Sequence, residues 1–297
     1  MRKSSKPSQS GIGFAMGDWH NQDKRVDESL EKRESMGHLP LRKTNLRKET
    51  IDIKSLGEEE RETLGQVLFH QLQQKVFSGV DYDSFLKEVF PPKADEATIS
   101  LYFTNKNDLV GYLQYSHTCC ELLGRPSVLV RSVTGLLPAY RNQSLIGGAS
   151  AKYLLHLYLR YPLRSIYVFT SPISPISYKT IGKTLSEYWP NPRIETPTHI
   201  QQLFKEICAF YTYTSNESNP MIRQVGWKVN DITKQSFNPQ DTLIQFYIDS
   251  NPHYADGYGL MTVTPIHTKN IVSGLRRLMS KRWKMLWKRQ PTKATPH

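Results

Sequence analysis

The sequence predicts an α/β (α+β) fold: a mixed, mostly antiparallel sheet flanked by helices, with a C-terminal α/β elaboration. Three observations carry this. Residues 98–137 hold three segments rich in β-branched and aromatic residues, parted by polar turns, which read as an antiparallel meander. Helix, strand and helix patterns follow as far as residue 190. The 297-residue chain carries a net charge of +12, yet residues 51–268 hold 19 basic and 20 acidic side chains. That near-neutral stretch is long enough for one sizeable core or two small domains.

The elements follow in order. Residues 1–49 are rich in Lys, Arg, Ser, Gly and Glu and read as a disordered basic arm. GIGFAMG at 11–17 has neither a preceding strand nor a following helix, so it is not a dinucleotide loop. Ile51 and Ile53 share one face of a short strand, and Ser55 is placed to cap a helix with Glu58, Glu59 and Glu60 in its first turn. Leu64, Val67, Leu68, Leu72 and Val76 form that helix's buried stripe, and Ser78-Gly79 ends it. A second helix near Asp83–Phe90 stops at Pro91-Pro92.

Thr98–Phe103 and Leu109–Tyr115 make a hairpin around Asn105–Asp108, and Val128–Leu137 is a third strand closed by Pro138. A loop, Ala139–Ser144, leads into a helix near Leu145–Tyr161, then a strand at Arg164–Thr170 and a helix at Tyr178–Tyr188. Beyond residue 190 the pattern gives a helix at His199–Tyr211, a strand at Gln224–Val229, a helix at Asp241–Ile248 and a strand at Tyr258–Pro265. The expected organisation is an arm (1–49), a core (50–190), an elaboration that completes the sheet and the acceptor side (191–268), and a basic helix with tail (269–297).

Charge and cysteine content exclude several classes. The excess charge sits at the ends: net +4 over residues 1–50 and +9 over 269–297. A folded basic domain with a broad phosphate-binding face is therefore not expected, and nucleic acid is an unlikely partner by this count. No stretch is apolar enough to span a membrane, and the first residues lack the apolar run of a secretory signal. Cys119, Cys120 and Cys208 have neither disulfide nor metal spacing, which suits reduced thiols in a cytoplasmic protein.

The most informative segment is Gly135-Leu136-Leu137-Pro138-Ala139-Tyr140-Arg141-Asn142-Gln143-Ser144-Leu145-Ile146-Gly147-Gly148. It joins a strand to a helix through a short polar loop. Such a loop turns several backbone N–H groups toward one point at a helix N-terminus, which suits a pyrophosphate. Pro138, Tyr140 and Arg141 stand in the pattern Pro-x-Tyr-Arg that opens the cofactor loop of the GNAT superfamily of N-acetyltransferases, and the chain resembles that family. The resemblance covers about 50–190 in element order and 128–188 in residue pattern. The chain departs after Arg141: Asn142 stands where glycine is common, Ser144 and Ile146 where small glycines are preferred, and Gly147 and Gly148 come late.

The resemblance implies the following. The cofactor is acetyl-CoA or another acyl-CoA, with an acyl carrier protein as an alternative donor. Leu136, Leu137, Arg141, Asn142, Gln143, Ser144, Leu145, Ile146 and Gly147 hold it. The strand carrying Val133–Leu137 splays from the one carrying Ile166–Thr170, and the pantetheine arm lies between them, bonded near Leu136 and Leu137. An amine acceptor attacks the thioester, and Tyr178 is the acid for the leaving thiolate. The family's strand carboxylate is absent, since Arg131, Ser132, Val133 and Thr134 occupy that stretch. His117, His253 and His267 are candidate bases, though none pairs with another at triad or metal spacing. The Asn251–Gly259 loop reads either as an acceptor wall or as a plain β-connection.

The C-terminal segment Asn270–Arg289 is a second signal. Ile271, Val272, Leu275, Leu278, Met279, Trp283, Leu286 and Trp287 recur at helical spacing, with Arg276, Arg277, Lys281, Arg282, Lys284, Lys288 and Arg289 around them. That pattern suits an anionic membrane surface or an acidic protein, or equally a terminal helix packed on the body. Two functions stand side by side: a GNAT-like N-acyltransferase, and a catalytically inactive GNAT-like protein that docks through this helix.

Overall fold

The computed structural model describes residues 46–141, 145–213, 219, 221–230, 237–238 and 240–287. In chain order the elements are β1 (Arg47–Asp52), α1 (Glu58–Leu68, continued by a π-helical turn Phe69–Gln73 and a last turn Gln74–Val76), β2 (Phe77–Ser78) and α2 (Tyr82–Val89). The meander is β3 (Glu96–Phe103), β4 (Leu109–Leu122) and β5 (Arg125–Leu136), followed by α3 (Leu145–Arg160), β6 (Ser165–Thr170) and α4 (Pro175–Thr184). The elaboration holds α5 (Thr198–Tyr211), β7 (Ile222–Gln224), β8 (Lys228–Val229), α6 (Thr242–Ser250), β9 (Tyr258–Leu260), β10 (Thr262–Pro265) and α7 (Thr268–Trp287).

Six strands form one mixed sheet in the order β1-β3-β4-β5-β6-β10. Every pairing in it is antiparallel except β5 with β6. The hairpin β4–β5 runs well past the expected Tyr115 and Val128. Its two-residue turn has Leu123 and Gly124 both at positive φ, 55° and 66°, the backbone that matches strand twist. Leucine is an unusual residue there, and His117–Cys120 lack a simple alternation, so the extension was not legible. Cys119 and Cys120 point to opposite faces, as expected of adjacent strand residues.

Alternation along the central strands divides the sheet into two faces. Tyr112, Gln114, Ser116, Arg131 and Val133 share one, which α1, α2 and α5 cover. Leu113, Tyr115, His117, Val128 and Val130 share the other, which α3 covers with Tyr153 and Leu157. The sheet is thus buried on both faces at its centre, and the core lies on either side of β4 and β5. Gly135 is obligatory in this packing: a Cβ there would lie 2.4 Å from the Tyr112 ring that crosses it.

Several local expectations are corrected. Arg47, Lys48 and Glu49, read as part of the arm, belong to β1, which pairs along its whole length with β3. Ser55 does not cap α1; it lies in a 3-10 turn, Gly57 is the cap, and its N–H donates to Glu60 Oε2 at 2.8 Å. The buried stripe of α1 holds for Leu64, Leu68, Leu72 and Val76. The π-helical turn shifts its register, so that Gln73 is buried and accepts from Tyr112 Oη at 2.9 Å. Helix α4 starts earlier than expected because Ser174 Oγ accepts from Ser177 N. The expected strand Gln224–Val229 is two short strands broken at Gly226 (φ 80°), which pair with β9 and β2 in separate ribbons.

Helix α7 is fastened at its start. Asn270 is buried, its Oδ1 accepts from Ser186 N, Ser186 Oγ and Glu187 N, and its Nδ2 donates to Glu187 O and Pro265 O. Ile271 packs on the α3 side of the sheet, while Val272, Arg276 and Met279 are exposed. The side chains of Leu275, Arg277, Leu278 and residues 281–297 lie outside the described residues, as does the arm before residue 46. Asn270→Ala strands several buried polar groups, each costing about 1–3 kcal/mol. It is expected to release α7, read as a rise in amide exchange over 268–280 with the β4–β5 amides unchanged. Equal protection in both proteins would reject this anchoring role.

Candidate functional site

The parallel pairing of β5 and β6 is short. It runs from Ser127↔Ser165 to Arg131↔Phe169 and stops there. Strand β5 continues to Leu136, still paired with β4 as far as Gly111↔Leu136. Residues 132–136 of β5 therefore have a strand on one side only, and this is the splay expected between these two strands. Burial changes at the same point: Val128 to Arg131 are buried, while Ser132, Val133 and Thr134 are half-buried. β6 ends at Thr170, and the Ser171–Ile173 segment leaves the sheet to start α4. A fork results, with Arg131 and Phe169 at its crotch.

At the outer end of β5 the chain makes a 3-10 turn over Pro138–Tyr140. Leu136 and Leu137 are buried; Leu137 N donates to Val110 O at 3.0 Å, and Arg141 Nε donates to Leu136 O at 3.2 Å. Arg141 folds back along the end of β5 through that bond. Asn142, Gln143 and Ser144 lie outside the described residues, as do the side chains of Leu145 and Ile146. Gly147 and Gly148 are exposed on the first turn of α3, and a Cβ on either would meet nothing within 4 Å. These glycines do not secure a close approach of protein backbone among the described residues.

The crotch of the fork holds a charge cluster that sequence reading missed. Arg131 bonds Glu88 of α2, and Arg223 of β7 bonds the other oxygen of the same carboxylate at 3.0 Å. The Arg131 guanidinium lies over the Tyr211 ring at 4.7 Å and the Tyr213 ring at 5.6 Å; Arg223 lies 3.3 Å from the Tyr213 centroid. Burial pushes the Glu88 carboxyl up, but the two guanidinium groups outweigh it and hold it below its ordinary value. Glu88 is therefore an ionised anchor and not a base. No signal in the sequence joins residues 88, 131 and 223, because three separate elements deliver them.

The expected catalytic residues take other places. Tyr178 is wholly buried among Tyr188, Phe246 and Tyr247, and its Oη donates to Pro190 O at 2.9 Å. Burial, with Tyr188 beside it, pushes its phenol far up. Its proton is committed to a backbone carbonyl, so the structure makes it a packing residue and not the acid. His117 lies inside β4 rather than after a strand; it is buried, with Nδ1 3.0 Å from Tyr153 Oη and Nε2 3.2 Å from Tyr161 Oη. Burial lowers its pKa, which keeps the ring neutral. His267 belongs to the start of α7, where Nε2 faces Glu187 and Nδ1 accepts from Asn270 N. His253 is exposed beside Asp256. The Asn251–Gly259 loop joins α6 to β9: Asn251 is buried and donates to Tyr258 O, and Gly257 turns the chain at φ 91°.

No family model matches the sequence, and no curated protein matches it. Among solved structures the chain is similar to a GNAT family N-acetyltransferase (YhbS) from Escherichia coli in complex with CoA, at 14% identity over 49% of this chain and 71% of that one, TM-score 0.31. It is similar to Arabidopsis thaliana NAA60 in complex with a bisubstrate analogue, at 10% identity over 74% and 100% of the two chains, TM-score 0.31. It is also similar to aminoglycoside antibiotic 6'-N-acetyltransferase AAC(6')-Ih from Acinetobacter baumannii, at 12% identity over 46% and 88%, TM-score 0.32. The mixed α/β architecture stands on the strand order and the fork.

Proposed function

We propose that the protein is a GNAT-type N-acyltransferase that moves an acyl group, acetyl in the simplest case, from an acyl-CoA thioester to an amine. The observation that carries this reading is the fork: a parallel pair that ends at Arg131↔Phe169 while β5 runs on to a Pro-x-Tyr-Arg turn and α3. The one-sided backbone of Ser132–Gly135 offers peptide groups to an extended amide-bearing arm. The first turn of α3 offers helix N-terminal N–H groups to a pyrophosphate. The thioester supplies the activated acyl group. The amine nitrogen bonds to the acyl carbon, the C–S bond breaks, the amine gives up a proton to water and CoA leaves as a thiolate that is then protonated.

A second reading is favoured by two specific observations. Tyr178 is packed away, and Arg131, Ser132, Val133 and Thr134 occupy the stretch where the family resemblance implies a carboxylate, so neither usual proton-transfer group is found at these positions. In this reading the GNAT-like shell is structural and carries no chemistry. It docks elsewhere through α7, with exposed Val272, Arg276 and Met279 facing an anionic membrane or an acidic partner. No helix among the described residues is long and apolar enough to cross a membrane.

Thermal unfolding with acetyl-CoA and longer acyl-CoAs tests both. Ligand at 100 times its dissociation constant should stabilise the fold by about 2.7 kcal/mol. A shift accompanied by transfer of labelled acetyl to an amine library supports the enzyme, and a shift without transfer supports an inactive shell. No shift with any thioester removes the enzyme and leaves the second reading, which flotation with anionic vesicles then tests.

A further inference from the structure

We propose that the crotch of the fork is a carboxylate-binding site that selects one of the reactants. This rests on the acyltransferase reading of the fork and names a chemical class within it. The first observation is a charge imbalance. Arg131 and Arg223 both bond the single carboxylate of Glu88, and their side chains are only 10% and 11% exposed. Two cations on one anion leave a net positive charge in a largely desolvated place. Tyr211 and Tyr213 cover the guanidinium faces and carry no compensating charge. Buried charge is retained at low cost only when paired, so an additional anion completes the cluster.

The second observation is independent of charge. Both amide atoms of Gln114, Ser171 Oγ and Tyr213 Oη are buried and make no hydrogen bond among the described residues. Each lies near the crotch by register, chain position or ring contact. Gln114 pairs with Val133, two residues beyond Arg131. Ser171 lies two residues beyond Phe169, the partner of Arg131 across the crotch. The Tyr213 ring stacks on Phe169 at a centroid distance of 6.1 Å. Buried polar groups are nearly always satisfied, and those left over mark ligand or water positions. A carboxylate accepts at two oxygens. Guanidinium N–H, phenol O–H, serine O–H and amide N–H₂ are donors suited to it.

The family resemblance points the thioester end of a donor toward this part of the sheet. A carboxylate can arrive there from two sources: the distal carboxylate of a dicarboxylic acyl group, or the α-carboxylate of an amino-acid acceptor. Calorimetry on the full chain separates them. One arm compares succinyl-CoA with acetyl-CoA. The other compares alanine with alaninamide in the presence of CoA. The charged member of one pair should bind at least about tenfold tighter. That preference should vanish in Arg223→Gln and persist in Arg223→Lys, with acetyl-CoA affinity the same in all three proteins. Arg223→Gln leaves the Arg131–Glu88 pair intact, one cation on one anion, so the variant is expected to fold.

If acetyl-CoA binds and both pairs show equal affinities in the wild type, the carboxylate site is overturned and the acyltransferase reading survives. This comparison needs no variant. If no thioester binds but alanine is preferred over alaninamide, the carboxylate site stands and the acyltransferase reading falls. If no probe binds, both fall.

Discussion

Glu88→Gln should be among the most damaging single changes in the chain, lowering stability by about 3–5 kcal/mol, the cost of breaking a buried ion pair by removing one partner. The reason is geometric. Glu88 is the only carboxylate shown to bond Arg131 and Arg223, so its loss leaves two guanidinium groups facing one another against tyrosine rings. Chemical denaturation measures the loss. A variant that removes all three charges, Glu88→Leu with Arg131→Met and Arg223→Met, should recover most of it, because buried ion pairs are costly to break and cheap to replace. A Glu88→Gln loss below about 1 kcal/mol would place the cluster in solvent rather than in the core.

The same cluster fixes a pH dependence. The folded-state carboxyl of Glu88 lies below its ordinary value of 4.5. Its stabilisation is therefore complete above that ordinary value and is lost as pH falls through the lower folded-state value. The acid-side decline in unfolding free energy should be steeper in the wild type than in Glu88→Gln, which keeps the contributions of Asp81 and Asp241. Parallel acid limbs in the two proteins would show that Glu88 is not held ionised by the fold.

Tyr178 gives the second large effect, and it separates packing from chemistry. Tyr178→Ala should cost about 3–5 kcal/mol, the usual price of a large aromatic deleted from a core, since the ring is fully buried. Tyr178→Phe keeps the ring and loses one hydrogen bond to Pro190 O, about 1 kcal/mol. Transfer activity in Tyr178→Phe, measured at a temperature where the protein is folded, should match the wild type. A loss of 10²–10⁴-fold, the range for a general acid, would restore the catalytic role that the resemblance implied and that the hydrogen bond to Pro190 argues against.

Much of the core was legible in the residues. The period-two segments of β3, β4 and β5, the helical stripe of α1 and the Pro-x-Tyr-Arg turn are local patterns of a few residues. Local sterics and burial write such patterns directly into sequence. The same logic located the strand and helix that follow α3, and with them the two arms of the fork. Element ends were less legible. The α1 cap moved from Ser55 to Gly57 because Glu60 reaches back to a backbone N–H, and the β4–β5 hairpin lengthened through a turn that places a leucine at positive φ.

By itself the sequence determined the class of fold, the approximate order of its elements and the strand-to-helix turn where a thioester cofactor is expected. What only the tertiary structure decided is which side chains meet. Position 131 is an arginine in a strand until Glu88 arrives from α2, Arg223 from β7 and two tyrosines from the end of α5 and just beyond it. Tyr178 reads as a helix N-terminal acid until α6 and Pro190 enclose it. A hydrogen bond or ion pair between residues 43 or 135 apart leaves no periodicity along the chain. Backbone preference and apolar spacing are properties of neighbours in sequence, whereas the charge balance of a buried site is a property of neighbours in space.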